Sequence, residues 1–461
     1  MQIPYEKLHS FPEELIRAVA MTVISFLIYM SNGRYIGAGD CVPASIIPIA
    51  VARGDGPWLD RYRAYIEDEN GRLPGYCEES RGHVVSRYPI GPGLVLTPFV
   101  VPQVWYWDAV NPGWDLEKTS FNLHARRMTK TAASTAVSIS IGLLYLWLRS
   151  YSGICASLTA SIAAAFGSGL WTTASQAGWQ HGPAVFCLMI SEVCLQFFGH
   201  RRWAMISAGI AAGLIVVCRI VNLPISFALW LYVTRKSRNE IIWFTMAAGI
   251  TGTCWMAWNI WFFDHPNGGY SEIEKMHGWA HGVKGSWATP LMTGLAGTLL
   301  SPSHGLIVYS PWVLAALPGI IFLIRSKAKA IDQLQLLSWL SLSLPATLII
   351  YSKYSCWWAG HCFGARFWID STPIFAGLLA VTIEQLQFNQ IKYKRLLNLI
   401  VHIVIAFAMA LHLVGALTYP TTWHSSPTNA DRDHQRLWDW HDNEITRGLK
   451  EGIHARQWSG L

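Results

Sequence analysis

A single aspartate follows the first hydrophobic stretch of this chain closely, in the segment NGRYIGAGDCVPAS. Asp40 stands among glycines and other small residues, just ahead of a proline, and this segment shows no helical periodicity. A carboxylate near the end of a membrane helix can be an ordinary solvated loop acid. It can also be a general base, which takes a proton from a hydroxyl within about 3 Å. The other polar segments of the sequence are needed to distinguish these two interpretations.

A second polar segment, CWWAGHCFGARF, places Arg366 and His361 among aromatic and small residues, with Lys353 a few residues ahead of it. An arginine there can hold a phosphate through the paired N–H groups of its guanidinium fork. It can equally be an interfacial anchor, with its aliphatic stem in the apolar layer and its charge in water. Composition alone leaves both interpretations open.

Three further motifs put polar residues where apolar runs begin or end. His181 in WQHGP is followed by a proline, a typical residue of a first helical turn. Arg219 in CRIVNLP ends one apolar run, and His304 in SPSHG precedes another. Arg87 and Tyr88 in SRYPIGPG lie where a long polar segment returns to an apolar stretch. Taken singly, each is compatible with a cap, a turn or an interfacial anchor.

The composition indicates an all-α polytopic membrane protein. The 461 residues are 52% hydrophobic and only 14% charged, whereas a soluble domain has about 25% charged residues. Runs such as TAASTAVSISIGLLYLWL are almost free of charge over the ~20 residues that span a bilayer core. They are continuously apolar rather than alternating, which argues against a barrel. The net charge of +7 is spread over short connections, so it gives no reason to expect a nucleic-acid partner.

The basic connections predict which segments share a face of the membrane. GHRRW, TRKSRNE, RSKAKA and IKYKR are expected in the cytoplasm by the positive-inside rule. Counting from them gives about eleven crossings and puts all the polar motifs above on the external face. This count requires residues 89–107, which hold four prolines, not to cross; we expect them to be re-entrant or interfacial, with non-helical backbone. Residues 290–305 receive the same interpretation.

Two external segments complete the predicted organisation of a single domain over residues 1–461. Residues 32–87 form a long first external loop, whose amphipathic middle predicts helices lying along the membrane surface. Residues 420–461 form an external C-terminal tail. Cys41 and Cys77 both fall in the first loop, so a disulfide between them is one pairing that an oxidising compartment permits, although sequence cannot fix connectivity.

In their order along nearly the whole chain, these motifs resemble the GT-C superfamily of membrane glycosyltransferases. The resemblance is to bacterial members related to the protein mannosyltransferases and the aminoarabinose transferases. The matching pieces are GDCVPAS, GHVVSRYPIGPGLVLTPF, WQHGP, CRIVNLP, LLSPSHGLIVYSP and WWAGHCFGARFWIDSTP. The tail RLWDWHDNEITRGL resembles the end of other bacterial members.

The resemblance implies a transfer of sugar from a polyprenyl phosphate or pyrophosphate carrier to an acceptor on the outer face of the bacterial inner membrane. Asp40 matches the acidic residue that acts as base, and Arg366 matches the arginine that contacts the carrier phosphate. His361 and Lys353 are further candidates for the donor phosphate. The expected substrate-binding residues are Arg87, Tyr88, His181, Arg219 and His304. The acceptor can be a glycan, a lipid or a protein.

Two other functions remain open at this stage. A transporter or flippase of lipid-linked sugars shares the hydrophobic pattern, but it predicts an internal repeat and polar residues at mid-membrane. A ligase or polymerase of surface polysaccharide is also a glycosyl transferase and differs mainly in the size of its donor. No cofactor is expected, and the sequence has no recognisable metal loop, although some relatives use a metal.

Overall fold

The structure, a computed structural model, describes residues 11–236, 239–281, 285–325, 332–388 and 393–454. Parts of the basic connections RSKAKA, TRKSRNE and IKYKR lie outside these residues. The described chain is mostly helical, with one short antiparallel hairpin, β1 (Cys77–Ser80) and β2 (His83–Ser86). The helices, in chain order, are α1 (Phe11–Met30), α2 (Cys41–Ala52), α3 (Arg63–Ile66), α4 (Gly91–Val110), α5 (Lys118–Arg149), α6 (Ile154–Phe166), α7 (His181–Phe198), α8 (Arg202–Cys218), α9 (Leu223–Lys236), α10 (Ile241–Phe263), α11 (Tyr270–His281), α12 (Leu291–Leu300), α13 (Leu306–Tyr309), α14 (Trp312–Arg325), α15 (Gln335–Ser341), α16 (Ser343–Lys353), α17 (Thr372–Phe388), α18 (Lys394–Thr418) and α19 (Glu444–Glu451).

Seven helical segments in the described part of the chain are long and apolar enough to cross a membrane. They are Pro12–Ser31, Lys118–Arg149, His181–Phe198, Ile241–Phe263, Asp332–Lys353, Arg366–Gln387 and Lys394–Thr418. Several shorter apolar helices, α8 and α14 among them, pack beside these seven. The chain is therefore an integral membrane protein of the all-α class, as its composition predicts. The count of eleven crossings stays a prediction.

Small residues let the central helices approach closely. Ala156, Ala160, Ala163 and Ala164 of α6 are fully buried in the main hydrophobic cluster, which also includes side chains of α5, α7, α8, α14 and α17. Helices in a bilayer gain little from hiding apolar surface from lipid, so close van der Waals contact has to hold them together. The alanine-rich sequence of α6 supplies that contact.

Contacts between distant segments define two ends of the helix bundle. At one, the Glu14 end, the Glu14 carboxylate accepts a hydrogen bond from Arg149 at 3.0 Å. At the same end, the Gly153 N–H donates to Glu384 at 3.0 Å. Nineteen residues before Arg149 on the same helix, Lys130 Nζ donates to the Tyr29 carbonyl in the last turn of α1. This stretch of α5 is about 28 Å long at 1.5 Å per residue, close to the thickness of a bilayer core.

The polar segments assigned by sequence to one face meet at the opposite end, the Asp40 end. Asn32 donates to Gln176 at 2.7 Å, and Arg366 pairs with Asp40 at 3.2 Å. The other pairs that join separate segments there are Arg219–His181, Tyr270–Gln180, Lys353–Thr289, Ser301–Leu437 and His361–Asp431. These contacts join loops that the charge pattern assigned to one face, and the side of the membrane on which they lie stays a prediction.

The expectation of non-helical backbone over residues 89–107 is wrong. The stretch forms α4, a continuous helix that contains Pro98 and Pro102. The proline at its second position removes no helical hydrogen bond. Burial against α2 and α5 holds the rest of the helix together despite the two later prolines. Residues 290–305 form the short helix α12 followed by an irregular turn, so that stretch is helical over only part of its length.

Helix α4 nevertheless stays on the Asp40 side of the bundle. It begins against α8, where a Cβ on Gly91 would lie 2.7 Å from the Val217 carbonyl carbon. Near its end the Trp107 ring packs edge-on against His124, at 4.4 Å between centroids. His124 precedes Lys130 on α5, so α4 runs along the first turns of α5 and away from the Glu14 end.

The first predicted external segment folds onto this same part of α5. Tyr62 stacks on Phe121 at 4.3 Å, and Arg53 joins α2 to α4 by a fork of two 2.7 Å hydrogen bonds to Asp108. The Cys41–Cys77 disulfide does not form: both thiols are free and buried in different hydrophobic clusters. The strand pairing of β1 with β2 and the packing of α2 hold the segment instead.

The two ends give a labelling prediction. Cysteines are introduced at exposed positions of the Asp40 end (Asn70, Asn267 and Thr428) and of the Glu14 end (Arg201 and Lys394), after alanine replaces the two exposed native cysteines, Cys155 and Cys254. In sealed vesicles of one orientation, a membrane-impermeant maleimide should label one group and spare the other until the vesicles are permeabilised.

Labelling of Asn70 on the side opposite to Asn267 and Thr428 would contradict this fold, because α4 would then have to cross the bilayer. Labelling of Arg201 together with Thr428 would contradict the assignment of the two ends.

Candidate active site

Asp40 occupies the position just before the first residue of α2. The preceding loop is forced close to the bundle, because a Cβ on Gly37 would lie 2.9 Å from Ala177. The Asp40 carboxylate makes no capping hydrogen bond to its own helix. Its side chain is 13% exposed, so it is largely withdrawn from water but still reachable. Its Oδ1 accepts a contact from the Cys41 thiol at 3.6 Å, and its Oδ2 faces another part of the chain.

Arg366 is the partner of Asp40, although 326 residues separate the two in sequence. Its Nη1 donates to Asp40 Oδ2 at 3.2 Å, and its guanidinium lies 4.7 Å above the Trp179 ring. The aromatic face attracts the cation and fixes the plane of the fork. The Arg366 side chain is 14% exposed, and its buried Nε has no hydrogen-bond partner. The carboxylate and the guanidinium predicted from separate motifs therefore form one ion pair.

A tight loop presents Arg366. Gly364 has a left-handed backbone, with φ of 69°, and its Cα lies so close to Tyr309 that a Cβ would be 2.6 Å from the ring. The Arg366 N–H donates to the Gly364 carbonyl at 2.8 Å. Only glycine suits both the backbone angle and this close approach. The position of Gly364 therefore sets the position of Arg366.

A second charged cluster lies four residues further on, around Asp370. The Asp370 carboxylate lies 3.1 Å from His181 Nδ1 and 3.1 Å from Arg219 Nε. Arg219 also donates to His181 Nε2 at 2.9 Å and to the Tyr351 hydroxyl at 2.8 Å. This arrangement places the imidazole proton on Nδ1, where it donates to Asp370. Burial requires such charges to be paired, and Asp370 supplies the pairing.

Two cavities flank the backbone between Ala365 and Trp368. One is lined by Arg366 and His304 together with Thr298 and the rings of Trp357 and Trp358. The other is lined mainly by apolar side chains; its walls include Leu306, Trp312, Val313, Ile369 and Phe375. Ala365 and Trp368 belong to both linings. Two small spaces of about 10 Å³ each, with room for about one water molecule, therefore adjoin each other at the residue that precedes Arg366.

His304 lines the cavity beside Arg366 and also faces Glu444. Its Nε2 lies 3.8 Å from Glu444 Oε1, too far for a hydrogen bond. Burial lowers the pKa of His304 to about 4, so the ring is neutral at physiological pH. Burial also raises the pKa of Glu444 to about 7, against the opposing effects of His304 and of the Gly364 N–H.

Tyr88 lies close to the ion pair. Burial is the largest cause that raises the pKa of its hydroxyl well above the usual value; the charge of Asp40 adds to this rise and Arg366 opposes it. Its ring packs edge-on against Tyr270 at 6.3 Å. Tyr88 of the SRYP motif is therefore near the ion pair, and its role in substrate binding stays a prediction.

The remaining predicted residues bond to other partners. Arg87 donates to Glu78 at 2.7 Å and to the Gly75 carbonyl, which ties the hairpin to the loop before it. Lys353 donates to the Thr289 carbonyl at 3.0 Å. His361 is 47% exposed and bonds to Asp431 at 2.9 Å. These three residues thus make local contacts near the ion pair rather than with it.

Two acids of this region were missed by sequence reasoning. Asp370 stands in RFWIDSTP, and Glu444 stands in the tail motif HDNEITRGL. Asp370 could have been recognised from the sequence, since an acid at the start of an apolar run of helical length costs free energy to bury and has to be paired. Glu444 could not, because the sequence of a polar tail does not indicate which of its acids is buried.

Comparisons with known proteins leave the chain without an assigned family. No protein-family model matches it, and no curated protein matches it. The function is therefore inferred from the geometry of the Asp40 end and from the motifs that it brings together.

The two acids of the site should differ in their effect on stability. Asp370→Asn leaves Arg219 buried without its counter-charge, which costs about 3–5 kcal/mol. Asp40→Asn removes a partner from a pair that is more exposed than Arg219 and Asp370, so we expect a smaller loss than for Asp370→Asn. Thermal unfolding in detergent should show the largest drop in midpoint for Asp370→Asn, an intermediate drop for Asp40→Asn and the smallest for the exposed control Asp68→Asn. Equal drops for Asp370→Asn and Asp40→Asn would contradict the distinction.

Proposed function

We propose that the chain is a glycosyltransferase of the GT-C type, which moves a sugar from a polyprenyl-phosphate donor to an acceptor at the outer face of the bacterial inner membrane. Asp40 is the base and Arg366 binds the donor phosphate. The observation that carries the proposal is the 3.2 Å ion pair between Asp40 and Arg366 at one end of a bundle of membrane helices.

The location of the pair suits a donor that cannot leave the bilayer. Asp40 lies ten residues after the end of α1, and its partner Arg366 is the first residue of the apolar span Arg366–Gln387. A polyprenyl chain keeps its phosphate at the edge of the apolar layer. An arginine at the end of the bundle is therefore within reach of the phosphate while the lipid tail remains among helices.

The chemistry is a direct displacement. The acceptor hydroxyl oxygen attacks the anomeric carbon of the sugar, and its proton passes to the Asp40 carboxylate. The bond from that carbon to the phosphate oxygen breaks, and its electron pair stays on the phosphate. Arg366 neutralises the negative charge that develops there, and a fixed cation does this without reorganising solvent. One displacement inverts the configuration of the anomeric carbon.

The ion pair also sets the order of the steps, with binding of the donor before activation of the base. The donor phosphate is a diester with one negative charge, and it competes with Asp40 for the guanidinium of Arg366. When the phosphate takes the guanidinium fork, the Asp40 carboxylate loses its counter-charge and becomes a better proton acceptor. Binding of the donor therefore activates the base, and Trp179 keeps the guanidinium plane in place through the exchange.

A transfer assay tests the proposal. The purified protein, in nanodiscs, receives polyprenyl-phosphate sugars and membrane extract as the acceptor source, and mass spectrometry follows loss of donor and appearance of glycosylated product. Asp40→Asn should reduce turnover at least a thousand-fold, since it removes the base and keeps the shape. Arg366→Lys keeps the charge but not the planar fork, so we expect turnover to fall by a factor of ten or more.

The control is Lys394→Ala, an exposed cation at the Glu14 end, which should keep full activity. In sealed vesicles that contain the purified protein, donor that crosses the membrane unchanged would indicate a flippase instead. Transfer only of long oligosaccharides would indicate a ligase or polymerase. Asp40→Asn with turnover within a few-fold of the parent would overturn the role of Asp40.

A further inference from the structure

The C-terminal segment, residues 420–452, covers the loop that presents Arg366. Asp431 accepts hydrogen bonds from Trp358 Nε1 and from the His361 ring, both at 2.9 Å. His424 stacks on His361 at 4.4 Å between ring centroids. Further contacts between the segment and this part of the Asp40 end are the ring pairs Trp357–Trp438 and Trp358–His434 and the hydrogen bonds from Ser301 and Ser303 to the Leu437 carbonyl.

One acid of the segment reaches beneath the loop. Glu444 is the first residue of α19, and its side chain is fully buried. Its Oε2 accepts hydrogen bonds from the Gly364 N–H at 2.9 Å and from the Tyr309 hydroxyl at 3.3 Å. Asn443 and Thr446 form a capping box that fixes the start of α19, so the direction of the Glu444 side chain is set by its own helix.

The hydrogen bond between Gly364 and Glu444 also affects the position of Arg366, because Gly364 bonds to both residues. Gly364 already has its backbone angle fixed and its Cα against the ring of Tyr309, and its carbonyl accepts from the Arg366 N–H. The Glu444 carboxylate holds the other polar group of the same residue. A displacement of Gly364 would therefore move the guanidinium relative to Asp40, and a misplacement of about 1 Å is enough to slow a reaction strongly.

We infer that the C-terminal segment is part of the active centre, and that Glu444 is a positioning residue that holds Arg366 through the backbone of Gly364. The positioning itself does not depend on which reaction the site performs. Its effect on turnover rests on the function proposed above.

The environment of Glu444 makes the positioning sensitive to pH. The titratable and charged groups around it are His304, Tyr309, His361, Cys362, Arg366, Tyr419 and His424. Burial lowers the pKa of His304 to about 4 and that of His424 to about 3, so both rings are neutral near pH 7. With a pKa raised to about 7 by burial, Glu444 changes charge near neutral pH. Its ionised form accepts the Gly364 N–H more strongly than the protonated form does.

The test has a readout that needs no activity. Cys362 lies in the same loop, is 1% exposed, and its thiol has a pKa raised to about 12 by burial. Peptide-resolved mass spectrometry measures the rate at which maleimide labels it. Glu444→Ala should raise that rate at least ten-fold, whereas Glu444→Gln, which keeps an acceptor for Gly364, should stay within a few-fold of the parent at pH 6. Glu451→Ala, on the exposed part of the same helix, is the control and should change nothing.

The second readout is the pH profile of the donor KM. In the parent, KM should fall as pH rises from 6 to 8, because the ionised Glu444 holds the loop more firmly. Glu444→Gln should remove that step and keep the KM that the parent has at pH 6. A purely structural tail would leave the profile of the Gln variant unchanged in shape.

Unchanged labelling of Cys362 in Glu444→Ala would overturn the inference, whatever the activity. A pH step that survives in Glu444→Gln would overturn it as well. If Glu444→Ala speeds labelling of Cys362 but the parent protein transfers no sugar, the role of Glu444 is supported and the proposed function is wrong. The two failures can therefore be told apart. If Glu444→Ala does not fold, the pH profile of Glu444→Gln decides alone.

Discussion

The salt bridge between Asp40 and Arg366 is the interaction on which the rest of the Asp40 end depends. Two charges that are 13% and 14% exposed have lost most of their hydration, and each needs the other. Removing water from an ion is expensive, so such a pair persists only where the geometry is held from outside. The surrounding segments make the contacts that hold the geometry of this pair.

The support comes from three directions. Trp179, from the turn before α7, fixes the plane of the guanidinium. Asp370, just after Arg366, neutralises Arg219 and orients His181, so that a second cation lies nearby without opposing the first. Glu444, from the C-terminal segment, holds the backbone that leads to Arg366. Segments that are far apart in sequence therefore converge on one pair of charges.

Sequence reasoning succeeded where the signal was a bulk property. The helical membrane class followed from the length of the apolar runs and from the near absence of charged residues in them. The shared location of the polar loops followed from the positions of the basic connections, which repeat along the chain. Both signals are averages over many residues, so the error at any single residue mattered little. The number of crossings and the resemblance to the GT-C superfamily remain predictions.

Sequence reasoning failed where the outcome depended on which other residue or helix a residue contacts. Pro98 and Pro102 predicted broken backbone over residues 89–107, but packing against α2 and α5 overrides the local preference, and a helix forms. Asp370 and Glu444 escaped notice because their partners come from distant segments; His181 is 189 residues before Asp370 in the chain. A sequence shows that an acid is present, but which cation or N–H group meets it is decided only by the packing of the helices.

The central claim is that Asp40 and a lipid phosphate compete for the same guanidinium. The most direct measurement is the affinity of purified variants for undecaprenyl phosphate, with undecaprenol as the uncharged control. The account predicts changes of opposite sign: Asp40→Ala should tighten binding of the phosphate several-fold, because it frees Arg366, and Arg366→Ala should weaken it at least ten-fold, with no change for undecaprenol. Weaker binding in both variants, or no effect of Arg366→Ala, would contradict the account.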